Sequence, residues 1–110
     1  MKKLATALIA LIPCIAQAEF FNGNDILNRI NSSDHMAQMQ ALGYIQGVSD
    51  VYVYVTFCPA AGVTAGQLQD IVKAYLQHNP ATRHKTAESL INLALKQVWP
   101  CQPRNNGKGV

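Results

Sequence analysis

The side chains in this sequence with the chemistry for a site are few: three cysteines, three histidines and a handful of isolated carboxylates. A metal centre would need two of His35, His78 and His84 one helical turn apart, or one of them beside a cysteine or carboxylate at ligand spacing. His78 and His84 instead straddle a proline-containing turn, so the histidines read as surface or structural groups. The sequence therefore points to no metal and no other cofactor. Acid/base work needs paired carboxylates, yet Asp50 and Asp70 stand singly in apolar surroundings and are expected to face solvent. There is no glycine-rich phosphate loop, CxxC, HExxH or nucleophile elbow. A binding protein rather than an enzyme is the expectation.

The cysteines are informative once the compartment is known. Met1-Lys2-Lys3 is a positive start, Leu4 to Ile15 is an apolar run, and Ala16-Gln17-Ala18 is a small-x-small cleavage signature. Together they predict a secretory signal peptide over residues 1–18, cut after Ala18. The run is too short to span a bilayer comfortably, since spanning takes roughly 20 residues. Cys14 follows Leu11-Ile12-Pro13, and Pro13 suits a lipobox poorly. After cleavage two cysteines remain, Cys58 and Cys101, and in an exported chain an even count reads as a disulfide. Their separation of 43 residues gives the cross-link a chain-entropy value of about 4 kcal/mol.

The formal charge of +3 belongs largely to the leader. Beyond it, seven basic residues from Arg29 to Lys108 face six acidic ones from Glu19 to Glu88. That balance argues against nucleic acid as a partner.

Hydrophobic spacing supplies the elements that must position these residues. Ile26, Leu27 and Ile30 mark a short first helix. Asn31-Ser32-Ser33-Asp34 is a break rich in cap residues. From there Met36, Met39, Leu42, Ile45, Val48 or Ser49, Tyr52 and Val55 form an apolar stripe. This predicts one long helix from about Asp34 to Phe57, buried all round in its second half. Alone, Val51 to Val55 would read as a strand. Thr64 and Gln67 form a capping box ahead of a third helix carrying Leu68, Ile71, Val72, Tyr75 and Leu76, stopped by Asn79-Pro80. Thr86 is the expected cap of a fourth helix whose apolar face holds Leu90, Ile91, Leu93, Ala94, Leu95, Val98 and Trp99, ended by Pro100. The expected architecture is all-α: a four-helix bundle, one short helix and three longer, over residues 19–101, with a disordered tail over 102–110. Gly43 and Gly47 have small-xxx-small spacing and cost helix stability. Either a neighbouring helix packs closely there, or Gly43, Tyr44, Gly47, Val51 and Tyr54 are the seam of a homodimer.

Several short motifs recur in a recognisable order. They are Gly43-Tyr44-Ile45-Gln46-Gly47-Val48, Phe57-Cys58-Pro59, Gly62-Val63-Thr64, Gln67-Leu68, Tyr75-Leu76, His78-Asn79-Pro80, Arg83-His84 and Trp99-Pro100-Cys101. In this arrangement the chain resembles the Rap/Tai family of type VI secretion immunity proteins, with Trp99 standing where phenylalanine is common. The resemblance implies a small all-α periplasmic domain with an internal disulfide, often dimeric. It also implies a partner, a secreted peptidoglycan amidase whose active site the protein blocks.

An inhibitor of this kind needs a rigid platform and an element that fills a cleft. The polar connection from His78 to Lys85 is the expected contact element, with His78, Arg83, His84 and Lys85 as partner-binding residues. Two other roles are compatible with the residues alone: an inhibitor of a different wall enzyme such as a phage or host lysozyme, and an acid-activated periplasmic chaperone. The chaperone role suits this chain less, because its carboxylates are few.

Overall fold

A computed structural model describes residues 20–103. The expected leader (1–18) and nearly all of the expected tail lie outside them. Four helices follow in order: α1 (Gly23–Ile30), α2 (His35–Tyr52), α3 (Ala65–His78) and α4 (Ala87–Val98), with a 3₁₀ turn, Pro80–Thr82, between α3 and α4. Among the described residues there is no strand, only isolated bridges. The expected all-α bundle is what forms.

Local chemistry starts three of the helices. The Asn22 side chain accepts from the Asp25 amide at 2.9 Å and the Asp25 carboxylate accepts from the Asn22 amide at 3.0 Å, a complete capping box on α1. Asp34 caps α2 through the Met36 amide. Thr64 and Gln67 close the expected box on α3. Thr86 departs from expectation: its hydroxyl donates to Ser89 Oγ rather than accepting from the helix, and α4 begins without a side-chain cap. The Ala87 amide, at the first helical position, donates to the Phe21 carbonyl at 2.8 Å.

All four helices contribute to one core. Leu90, Ile91, Ala94 and Leu95 meet Ile26, Leu27 and Ile30 of α1, Ala41 and Ile45 of α2, and Val72 and Leu76 of α3 in one core. Leu93 and Val98, expected in that face, are exposed, since they lie off the stripe that Leu90, Ile91, Ala94 and Leu95 define. α2 is not buried all round. Its interior stripe is Ala41, Ile45 and Ser49, at four-residue spacing, whereas Gly47, Asp50 and Val51 of its second half are exposed, as are Met36 and Met39. Ser49 is tolerated inside because its hydroxyl donates to the Ile45 carbonyl at 2.7 Å. Asp50 and Asp70 face solvent, as expected.

The close approach falls at a glycine other than the two singled out. A Cβ on Gly43 or Gly47 would meet nothing within 4 Å, so neither accommodates an intramolecular neighbour. A Cβ on Gly23 would lie 2.5 Å from Leu90 Cδ1 and 2.8 Å from the Arg83 carbonyl oxygen. Gly23→Ala is therefore expected to destabilise the domain by about 1–3 kcal/mol, with the loss read as a lower midpoint in urea unfolding at unchanged slope.

α2 also stops earlier than its stripe suggested, at Tyr52 rather than near Phe57. The Val53 amide still bonds the Ser49 carbonyl, but Tyr54 turns to φ 61° and its amide donates to the Phe57 carbonyl at 2.7 Å. Val53, Val55 and Thr56 are β-branched and weak helix formers. The turn they make brings Phe57 inward, where it is only 1% exposed, and lets the Cys58 amide donate to the Trp99 carbonyl at 2.9 Å. Cys58 and Cys101 then form the expected disulfide, with Cα atoms 4.9 Å apart. It joins the exit of α2 to the exit of α4.

Candidate functional site

Two surfaces hold the residues of interest. The first is the connection from α3 to α4. It is short and tied down rather than protruding freely. Thr82, Arg83 and Lys85 amides donate to the Asn79, Pro80 and Thr82 carbonyls. The Arg83 and Lys85 carbonyls accept from the Asn24 and Gly23 amides, at 3.0 and 3.1 Å. The free amides at the start of α1 are thus satisfied by this connection, and the connection is held by a helix.

The four expected contact residues separate into three settings. His84 and Lys85 are exposed. Arg83 is half-buried, and its Nε is enclosed without a hydrogen-bond partner. His78 sits at the end of α3, where Nδ1–H donates to the Ala74 carbonyl at 2.6 Å. It borders a hollow of about 300 Å³ between α3 and α4 that Arg83, His84 and Lys85 do not line. The structure therefore presents His84 and Lys85 together, encloses the Arg83 Nε beside them, and leaves His78 on a neighbouring surface.

The second surface is a groove of about 390 Å³ lined by Tyr44, Gly47, Val48, Val51, Tyr52 and Glu88. Three of the expected seam residues, Tyr44, Gly47 and Val51, line it. Gly43 is exposed on the same helix. Tyr54 lies outside it, on the turn after α2, 70% exposed. Tyr44 packs its ring 5.2 Å from Phe21, and Arg29 lies 4.2 Å over the other residue of that pair, Phe21. The Tyr52 hydroxyl donates to Glu88 Oε1. That bond and the Glu88 charge hold the Tyr52 pKa above its usual value. Tyr44 is raised as well, first by burial and then by Glu88. Both tyrosines thus remain protonated through the neutral range.

Sequence reasoning missed Glu88 and the exposure of Val55 beside Tyr54, which was already an expected seam residue. Glu88 carries the ordinary signal of an acidic residue in a first helical turn. Nothing local links it to Tyr52, which is 36 residues away. The exposure of Val55 was hidden by the continuity of the apolar stripe. Among the described residues no group of three metal-ligating side chains comes together, and no helix is long and apolar enough to cross a membrane.

The family model for Rap1a immunity proteins matches residues 22–101, nearly the whole described domain. The chain belongs to the Rap1a immunity protein family. No curated relative matches it. The match runs from the Asn22 cap to Cys101, so in this Rap1a family member it takes in both surfaces and both halves of the disulfide. Family membership implies an immunity protein acting against a secreted effector by binding it, an inhibitor rather than an enzyme.

Proposed function

We propose that this protein is a periplasmic immunity protein that binds a type VI secreted peptidoglycan amidase and blocks its active site, protecting the cell from sister-cell intoxication. The Rap1a family match carries the reading. The leader-like N-terminus and the disulfide both fit an oxidising compartment outside the cytoplasm.

The α3–α4 connection is the element proposed to enter the effector's cleft. Main-chain bonds to α1 pre-organise it, which lowers the ordering cost of association. His84 and Lys85 present donors to a cleft that holds a thiolate and carboxyl groups in a cysteine amidase. The double substitution His84→Ala/Lys85→Ala is expected to weaken binding at least tenfold, about the cost of one strong interface contact, while leaving the thermal midpoint unchanged because both side chains are exposed. Calorimetric titration of the mature domain with its amidase measures this. Unaltered affinity would remove the connection from the interface.

A further inference from the structure

The groove between α2 and α4 has a composition that its shape alone does not explain. Glu88 carries the one formal charge among its lining residues, and the other polar groups there are the two tyrosines. Tyr52 holds the carboxylate by its hydroxyl, so Glu88 is fixed in the groove. Val48 and Val51 supply apolar wall, and the Cβ space above Gly47 is empty. A carboxylate held beside tyrosine rings and aliphatic side chains complements an organic cation on a slender apolar stem. The fold already uses this chemistry internally, where Arg29 lies over the Phe21 ring.

We propose that this groove receives the basic side chain, arginine or lysine, of the effector that the protein binds. The identity of that protein rests on the immunity reading; the pocket's preference for a cation does not. The occupant is not a second copy joined through this face. Residues 35–57, all of α2 and its exit turn, contain no lysine or arginine. A two-fold contact centred on the groove would set this face against itself, so it would bring Glu88 towards Glu88 and one lysine- and arginine-free α2 wall towards the other. A basic side chain of a heterologous partner supplies the cation that the α2 wall of a second copy lacks.

The test uses the mature chain and N-acetyl-arginine methylamide as probe, followed by amide nuclear magnetic resonance. The expected result is shifts confined to Gly47, Val48, Val51 and residues around Glu88. The neutral isostere N-acetyl-citrulline methylamide should bind about tenfold more weakly, having lost one ion pair and one cation–π contact. Glu88→Gln should weaken the arginine probe about threefold and leave citrulline unaffected. Equal binding of the two probes, or shifts elsewhere, would overturn the cation pocket. A homodimer in sedimentation that Gly47→Gln dissociates would put a second copy in the groove and overturn the assignment to the effector. These arms need no effector. Failure of the immunity reading is seen separately, as an amidase left fully active, and does not alter the probe result.

Discussion

Phe57→Ala is expected to lower stability by about 3–5 kcal/mol, the largest single-residue effect in this domain. Phe57 is among the largest fully buried side chains and it lies outside the four helices. It is the residue that holds the α2 exit turn against the end of α4, with its carbonyl accepting from Tyr54 and its backbone bridged to Pro100. Removing the ring leaves a cavity under a segment already bent to accommodate Tyr54 at positive φ, a conformation that costs a non-glycine residue about 1–2 kcal/mol. For a domain of this size the loss corresponds to a fall in melting temperature on the order of 20 °C. Thermal unfolding followed by circular dichroism reads it directly. A fall of only a few degrees would mean that the turn collapses into the space and that Phe57 does not anchor it.

Replacing Cys58 and Cys101 together by alanine is expected to cost about 4 kcal/mol, because the bridge closes a loop of 43 residues. A small domain has a total stability of about 5–15 kcal/mol, so the doubly substituted chain should be close to its unfolding threshold at 37 °C. The same loss should follow incubation of the unaltered protein with a thiol reductant, which separates loss of the bond from any effect of the substituted side chains. Combined with Phe57→Ala, the change should be less than the sum of the two, since both fasten the same turn. Full additivity would show that the disulfide and the phenylalanine act on separate parts of the fold.

Much of this architecture is legible in the chain. The periodicities of α1, α3 and α4, the Thr64–Gln67 box and the Asp34 cap are local signals, and local signals survive folding. The cysteine pairing needed only a compartment and a count. What was not legible depends on contacts between distant segments. Val53 to Phe57 continues the apolar stripe of α2, and only the demand to bury Phe57 and pair Cys58 with the Trp99 carbonyl turns it out of the helix. Gly23 looks like an ordinary turn glycine until Leu90 and the Arg83 carbonyl come to lie against it. Thr86 has the right type and place for a cap, yet its hydroxyl donates to Ser89 Oγ and accepts from no helix amide.

The candidate site divides in the same way. The α3–α4 connection is polar and bounded by proline, so its exposure could be read directly. That it is pinned to α1 could not, because the partners, Gly23 and Asn24, lie some 60 residues earlier in the chain. The α2–α4 groove was half visible. Its α2 wall stood out through Tyr44, Gly47 and Val51, while Glu88, the group that gives it a charge, comes from another helix. An exposed face of small and aromatic residues suggests self-association when read alone, and takes on a different chemistry with a carboxylate set beside it.

In the function proposed above, the folded, disulfide-closed domain acts by occupying the cleft of a wall amidase. The most direct measurement is the residual activity of the cognate secreted amidase on purified peptidoglycan as the mature protein is added. Hydrolysis should fall linearly and stop at one inhibitor per enzyme, and His84→Ala/Lys85→Ala should round the titration so that activity persists at that ratio. An amidase that keeps its full rate in the presence of excess folded, oxidised protein would contradict the account.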